Sequence, residues 1–150
     1  MERADKGLAF MMQYENVAWY DGGEVRILDR RVYPRRVEFV TCRTHREVAQ
    51  ALTDMVTQST GPFTAAAMGM ALAAWECRDR TAEQQVAYLE QAMDTISHAR
   101  PTTVGRMQLI CGGCLEVAKA AIAQDVPDVA LAIRDYTCLL YTSPSPRDRT

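Results

Sequence analysis

One arginine in this 150-residue chain stands at a sharp joint where its side chain could bind an anion. One amphipathic pattern ends near Ser97, the next begins near Thr102, and Arg100 and Pro101 lie between them. Proline disfavours helical geometry at the residue before it and suits the first turn of the next helix. A guanidinium beside the free N–H groups of a helix start is a candidate phosphate-binding site. From these residues alone, a capped helix with a solvated arginine is the commoner arrangement.

The five cysteines, at positions 42, 77, 111, 114 and 138, are the other reactive side chains of note. Their odd number and irregular spacing argue against a secreted disulfide framework and for reduced thiols. Cys111 and Cys114 form a CxxC pair inside a helical pattern, but zinc would need two further ligands. Only His45 and His98 are histidines. We expect small buried thiols, with no metal and no other cofactor.

Composition and charge exclude several classes of protein. The length suits one domain with a hydrophobic core, and a net charge of -2 with a pI near 5.7 gives no electrostatic basis for binding nucleic acid or an anionic membrane. The longest apolar run, residues 65–75, is too short to span a bilayer. Residues 1–13 look like a leader without the apolar segment of a signal peptide. We expect a cytoplasmic protein.

The elements that must position the joint begin with short β-strands. The turn Asp21-Gly22-Gly23, between a short aromatic run and a segment in which Val25 and Ile27 alternate with polar residues, predicts a hairpin. A basic connection broken by Pro34 leads to a third strand, in which Val37, Phe39 and Thr41 are expected on one side. The predicted strands are Asn16–Tyr20, Glu24–Asp29 and Val37–Cys42.

Helices follow the strands. Thr44 with Glu47 forms a capping box, which predicts a helix that ends near Thr57. Its buried stripe should contain Val48, Ala51, Leu52, Met55 and Val56. The next segment, Phe63–Trp75, is apolar on every side and is expected to be the central helix of a small bundle.

Three more helices complete the predicted bundle. A second capping box, Thr81 with Gln84, begins a helix to about Ser97. Its expected buried face is Val86, Leu89, Met93 and Ile96. The last two helices should run from Thr102 to about Gln124 and from Asp128 to about Tyr136. Gly112-Gly113 inside the first of these predicts a kink or very close packing.

Strands followed by helices predict an α+β domain over residues 14–136, with an antiparallel hairpin or meander at 14–42 and a helical bundle at 44–136. From Cys138 the chain follows no helix or strand period and contains Ser-Pro-Ser-Pro. We interpret residues 137–150 as a non-native or disordered tail that resembles sequencing-adapter read-through. On this interpretation the natural protein continues beyond about Asp135.

Several segments, in this order, resemble the N-terminal domain of the methylthioribose-1-phosphate isomerase family. This family includes ribose-1,5-bisphosphate isomerases and regulatory subunits of translation initiation factor 2B. Ala99-Arg-Pro-Thr-Thr103 is the most specific match, and the others are residues 17–22, 25–34, 47–56 and 65–73. The resemblance implies a Rossmann-like C-terminal domain, absent from this chain, with a sugar phosphate bound between the two domains.

The resemblance also implies which residues contact the substrate. Arg100 corresponds to a substrate-binding arginine, and the loop of Gln58, Ser59, Thr60 and Gly61 takes the place of the family's Arg-Gly-Ala-Pro loop. Because this loop has no arginine, its backbone N–H groups and two hydroxyl groups are left to hold a phosphate oxygen. The family's catalytic cysteine and aspartate belong to the missing domain, so we predict no catalytic residue here and no activity of this chain alone.

We therefore predict the truncated N-terminal domain of an aldose–ketose isomerase of methionine salvage. The reaction would convert S-methyl-5-thioribose 1-phosphate to S-methyl-5-thioribulose 1-phosphate. A ribose-1,5-bisphosphate isomerase, a non-catalytic regulatory subunit and a plain helical interaction domain stay open as alternatives. The expected partners are a small sugar phosphate and, at full length, a second copy in a homodimer, with neither nucleic acid nor membrane.

Overall fold

A computed structural model describes residues 17–57 and 61–142, with side chains through Cys138. This part of the chain forms three strands followed by five α-helices, which confirms the α+β class. A 3-10 turn, Pro101–Thr103, precedes the fourth helix. The elements are β1 (Ala18–Asp21), β2 (Glu24–Leu28), β3 (Phe39–Cys42), α1 (His45–Thr53), α2 (Gly61–Glu76), α3 (Ala82–Ser97), α4 (Val104–Ala123) and α5 (Val129–Thr142).

The predicted hairpin is confirmed. The strands form an antiparallel sheet in the order β1-β2-β3, and Asp21 pairs with Glu24 across a two-residue turn. Gly22 and Gly23 have φ values of 56° and 88°, a left-handed conformation that tight hairpin turns require and glycine adopts without strain. The turn packs against α2, since a Cβ on Gly23 would lie 2.6 Å from Trp75 Nε1.

The third strand is shorter than predicted, and Val40 and Cys42 are its residues that face the core. Cys42 is buried and Val40 packs against the core, whereas Val37 is 55% exposed and lies before the strand. Within β3, Phe39 and Thr41 lie on one side as predicted, whereas Val37 lies outside the strand. Because Phe39 and Val40 are both apolar, the sequence of this four-residue strand does not indicate which of its two faces is buried. The pairing of β3 with β2 decides it.

Helix α2 is the centre of the bundle, as predicted. Every residue from Gly61 to Ala74 is buried, and the helix contacts the other four helices and strands β1 and β2. Gly69 allows two neighbours to approach closely, because a Cβ there would lie 2.9 Å from Val48 and 3.0 Å from Ile96. An all-apolar helix is stable in water only when it is surrounded in this way.

Helix α1 ends earlier than its sequence pattern predicts. Both capping boxes are confirmed, but α1 stops at Thr53, and Met55 has a φ of 61°. Val56 is buried as predicted, whereas the prediction that Met55 is buried is wrong, since its side chain is 48% exposed. The left-handed turn at Met55 ends the helical period, so helical spacing no longer predicts which side chains beyond Thr53 are buried.

The last two helices pack closely at one glycine of the pair. Helix α4 is continuous through Gly112 and Gly113. A Cβ on Gly113 would lie 2.6 Å from the hydroxyl oxygen of Tyr136 in α5, whereas one on Gly112 would meet nothing within 4 Å. Close packing, rather than a kink, therefore accounts for Gly113.

Helix α5 continues to Thr142, beyond its predicted end near Tyr136. Thr137 and Cys138 are buried, and the Thr137 hydroxyl donates to the Ile133 carbonyl at 2.9 Å. The burial of Thr137 and Cys138 accompanies the continuation of the helix into a segment that the sequence interpretation assigned to a non-native or disordered tail. The predicted leader, residues 1–13, and positions 143–150 lie outside the described residues. Among the helices described, none is long and apolar enough to cross a membrane.

Candidate phosphate-binding site

Arg100 lies at the predicted joint, in an extended conformation. Helix α3 ends at Ser97 with His98 as its C-cap, and Arg100 has a φ of -129° and a ψ of 114°. Pro101 occupies the first turn of the 3-10 helix that leads into α4. Proline thus prevents the preceding residue from continuing the helix, as the sequence predicts.

The side chain of Arg100 ties this joint to the end of α1. Its Nε donates to the Leu52 carbonyl at 2.8 Å, and its Nη2 donates to the Thr57 carbonyl. Leu52 belongs to the last turn of α1, and its carbonyl also accepts from the Met55 backbone N–H at 3.2 Å. A solvated arginine at this joint is therefore ruled out, because the guanidinium is partly buried and bonded to two main-chain groups.

The positive charge of Arg100 is not neutralised by a neighbouring side chain. Both of its partners are neutral carbonyl groups, and within residues 17–57 and 61–142 it forms no ion pair with a carboxylate. Burial lowers its pKa, but a guanidinium stays protonated in proteins. A guanidinium carries five N–H donors, so the two bonds leave donors over for an anion.

The predicted binding loop, residues 58–61, begins directly after Thr57, one of the two hydrogen-bond partners of Arg100. Thr57 is buried, and Gly61 begins α2 against it, since a Cβ on Gly61 would lie 1.9 Å from the Thr57 hydroxyl oxygen. Gln58, Ser59 and Thr60 lie outside the described residues. Of the five predicted site residues, the structure therefore places Arg100 and Gly61, and both contact Thr57.

Two further residues of this region are absent from the sequence prediction. The guanidinium of Arg106, in the first turn of α4, lies 4.6 Å from the centre of the Phe63 ring in the first turn of α2. The hydroxyl oxygen of Thr103 is buried and has no hydrogen-bond partner among the described residues. The available sequence signal was an arginine six residues after Arg100, in a helix predicted to begin beside the joint.

The cysteines do not supply a reactive thiol. All five are free and buried. Burial raises the pKa of Cys42 to about 11 and that of Cys114 to about 12, and it also raises the pKa of Cys77 and Cys111. These four thiols stay protonated near neutral pH, which makes them poor nucleophiles and metal ligands. Within the described ranges, no three His, Cys, Asp or Glu side chains form a group that could hold a metal ion.

A buried ionisable cluster lies at the other end of α2, and sequence reasoning missed it. Glu76 Oε1 accepts from the His45 backbone N–H at 2.8 Å and lies 2.7 Å from His45 Nδ1, while Oε2 accepts from the Tyr88 hydroxyl at 2.9 Å. Burial opposes ionisation of Glu76, but these hydrogen bonds outweigh it and lower its pKa. Each partner is used within the cluster, which indicates a structural role.

Known proteins of two kinds are similar to this chain. Methylthioribose-1-phosphate isomerases from Caldanaerobacter subterraneus and Thermotoga maritima are each 33% identical to it, over 111 and 86 residues. These matches cover 69% and 57% of this chain. No protein-family model matches it.

Two solved structures share its fold. The delta subunit of translation initiation factor eIF-2B from A. fulgidus has a TM-score of 0.70 at 24% identity, and 5-methylthioribose 1-phosphate isomerase from Pyrococcus horikoshii has 0.65 at 21%. Each match covers 81% of this chain and 36% of the solved chain.

The chain spans only part of these relatives. It covers 31% of the Caldanaerobacter protein and 24% of the Thermotoga protein. Sequence identity and fold nevertheless point to the same group, and the confirmed strand and helix order matches it. Over the part that it spans, the chain is similar in sequence to methylthioribose-1-phosphate isomerases and has the fold of the two solved structures.

Proposed function

We propose that this chain is the N-terminal domain of an aldose–ketose isomerase that converts S-methyl-5-thioribose 1-phosphate to S-methyl-5-thioribulose 1-phosphate. In this proposal Arg100 and the loop of residues 58–61 bind the phosphate group of the substrate. The names of the two isomerases that are 33% identical to this chain support the reaction class. The proposed location is the cytoplasm, and the proposed assembly at full length is a homodimer.

The observation that carries the proposal is the setting of the Arg100 guanidinium. It is partly buried, fixed by the Leu52 and Thr57 carbonyl groups, and paired with no described carboxylate. Such a cation is positioned before a ligand arrives, so little side-chain entropy is lost when an anion binds. The bond to the Thr57 carbonyl, at the residue just before positions 58–61, supports this proposal, as do the first N–H groups of α2, which favour an anion.

The proton transfer between adjacent carbons of the sugar needs an acid and a base within hydrogen-bond reach of the substrate. Cys42, Cys77, Cys111 and Cys114 are buried with raised pKa values, and the Glu76 cluster lies at the far end of α2 from Arg100. We therefore expect the catalytic groups on a part of the protein outside this chain. This chain would contribute binding and orientation, and would be inactive by itself.

A second candidate function is a non-catalytic regulatory subunit. The structural similarity to an eIF-2B delta subunit favours it, because that fold match is as good as the match to an isomerase. The absence of an arginine from residues 58–61 also favours it, since a binding protein need not orient a substrate for chemistry.

The test is to express the complete gene product that contains this chain and to follow ketose formation from methylthioribose 1-phosphate. We expect turnover by the complete protein and none by the 150-residue chain. Ribose 1,5-bisphosphate serves as the comparison substrate. Turnover of that compound alone would change the substrate, and turnover of neither compound by a folded protein would favour the regulatory subunit.

A further inference from the structure

We propose that a cavity between the α2–α3 connection (residues 77–81) and the α4–α5 connection (residues 124–128) binds a free α-amino acid with an apolar side chain. The cavity has a volume of about 360 Å³, which is within the range of small-molecule sites. It lies at the end of α3 and α4 opposite to the joint that holds Arg100. This inference goes beyond the proposed function and does not depend on it.

Side chains of opposite charge line the two sides of this cavity. Arg78 and Arg80 belong to the α2–α3 connection, and Asp125 and Asp128 belong to the α4–α5 connection. Among the described residues, none of these four side chains forms an ion pair. Unpaired charge is common on the surface of this domain, but here charges of both signs, from two separate connections, meet at one concave site. A ligand that carries both charges would pair with both sides at once.

The two sides act on one buried hydroxyl group. Burial and, after it, the Asp128 carboxylate raise the pKa of Tyr20, whereas Arg78 is among the groups that lower it. Arg78 and Asp128 therefore share one electrostatic environment although they do not pair. The lining also includes apolar side chains, which would contact the apolar part of a ligand: Ala82, Ile122, Val126, Val129 and Ala130.

Arg78 is held in place before a ligand arrives. Its guanidinium carbon lies 3.7 Å from the centre of the Trp75 ring, and its Nη1 donates to the Trp75 carbonyl at 2.8 Å. Gln85 Nε2 donates to the carbonyl groups of Arg78 and Arg80 at 3.3 and 2.7 Å, which fixes the connection. Stacking uses the face of the guanidinium, and one bond uses one of its five donors, so others remain for a carboxylate.

Asp125 keeps an unpaired carboxylate at a strained backbone position. Its φ of 55° is a left-handed conformation that favours glycine. Its backbone N–H donates to the Ile122 carbonyl at 3.1 Å, but its carboxylate has no partner among the described residues. Such outliers concentrate at ligand sites. Asp128 uses Oδ1 to accept from the Leu131 backbone N–H at 3.0 Å, so its Oδ2 is also available.

Together these groups select a zwitterion. The Arg78 guanidinium would donate to the carboxylate of an amino acid, and the Asp125 carboxylate would accept from its ammonium group. A phosphate monoester does not fit this cavity, because both aspartates would repel it.

The experiment uses calorimetry on the complete gene product, with L-leucine, L-valine and L-methionine as probes. Isocaproate and isoamylamine, which are leucine without its ammonium group and without its carboxylate, serve as matched ligands. We expect saturable binding of at least one of the three amino acids, and binding of both analogues that is weaker than that of leucine by about tenfold or more.

The variants separate binding from folding. Asp125→Gly removes the carboxylate and relieves the left-handed backbone, so we expect affinity to fall by about tenfold or more while stability does not fall. Arg78→Ala should weaken binding by a similar factor. The control is Asp79→Asn, which lies between the two arginines but does not line the cavity, and it should stay within about twofold of the wild type.

Three results would overturn the inference. These are no saturable binding of any of the three amino acids in the millimolar range, equal binding of leucine and either analogue, and equal losses in Asp79→Asn and Asp125→Gly. The last result would indicate a general effect of charge. None of them bears on the proposed function, because Arg100 does not line this cavity.

Discussion

The two ends of helix α2 differ in how the charged side chains beside them are paired. At the C-terminal end, Glu76 is bonded to His45 and Tyr88, so its charge is matched by donors on α1 and α3. At the N-terminal end, Arg100 and Arg106 lie against the residues that flank the loop, and neither is paired with a carboxylate in the described ranges. The charge of Glu76 at the C-terminal end is paired within the fold, whereas the positive charge at the N-terminal end is available to bind an anion.

This difference separates a structural cluster from a binding site. Perturbed pKa values occur at both ends, since that of Glu76 and that of Arg100 are both lowered. A perturbed pKa alone therefore does not identify the site. What distinguishes the N-terminal end is that its cations have donors left over, whereas the hydrogen bonds of Glu76 are made within the bundle.

The largest expected effect is on stability at the C-terminal end. Glu76→Ala would leave the buried His45 ring without its carboxylate and free the Tyr88 hydroxyl. Removing one partner of a buried polar pair costs about 3 kcal/mol, so the free energy of unfolding should fall by about that amount in urea denaturation. Glu116→Ala, on the exposed side of α4, is the control and should change it by less than about 0.5 kcal/mol. A loss below about 1 kcal/mol for Glu76→Ala would contradict the structural role.

At the N-terminal end, Gly61→Ala tests how closely the loop is held against Thr57. A Cβ there would clash with the Thr57 hydroxyl oxygen and lie 3.3 Å from the Thr57 Cβ, so the Thr57 side chain or the backbone must shift. We expect a loss of about 1–3 kcal/mol in the free energy of unfolding, which is typical of overpacking. Weaker binding of methylthioribose 1-phosphate by the complete protein should accompany it. Unchanged stability would show that Gly61 and Thr57 are not in contact.

We expect stability to depend on pH through Glu76, at the C-terminal end of α2. Because the pKa of Glu76 is lowered in the folded state, its contribution is full above its ordinary value of 4.5 and is lost as the pH falls through the folded pKa. The difference in unfolding free energy between wild type and Glu76→Gln should therefore shrink below about pH 4.5. If the difference in unfolding free energy between the two proteins stayed constant between about pH 6 and about pH 3, this account would be contradicted.

The smallest expected effect is a gain in stability at Gly112, away from both ends of α2. A Cβ at Gly112 would meet nothing within 4 Å, and alanine is the better helix former by about 1 kcal/mol. Gly112→Ala should therefore raise the midpoint of urea denaturation. The neighbouring Gly113→Ala should not, because its Cβ would lie 2.6 Å from the Tyr136 hydroxyl oxygen. Equal effects at the two positions would show that helix propensity alone determines the change in stability.

Local signals predicted the framework well, and tertiary contacts decided the rest. The two capping boxes and the turn at Gly22-Gly23 each depend on residues adjacent in sequence, and all three are confirmed. The inward face of β3 and the position of Met55 depend on pairing and on a left-handed turn, which periodicity does not detect.

The candidate site shows the same limit. Pro101 marked the joint and drew attention to Arg100, because proline acts on its immediate neighbour. The bonds from Arg100 to Leu52 and Thr57 join residues more than forty positions apart, and the Arg106 contact with Phe63 is equally distant in sequence. No local pattern encodes such contacts. They follow from the way α1, α2 and the α3–α4 joint pack together.

The most direct test of the central claim is the affinity of the complete protein for methylthioribose 1-phosphate in the wild type and in Arg100→Gln. Glutamine keeps a donor for one of the carbonyl groups but removes the charge. We predict a loss of about tenfold to a hundredfold for the phosphorylated compound, with the circular dichroism spectrum unchanged and unphosphorylated methylthioribose little affected. Equal affinities of the two proteins would contradict the claim that Arg100 binds the phosphate.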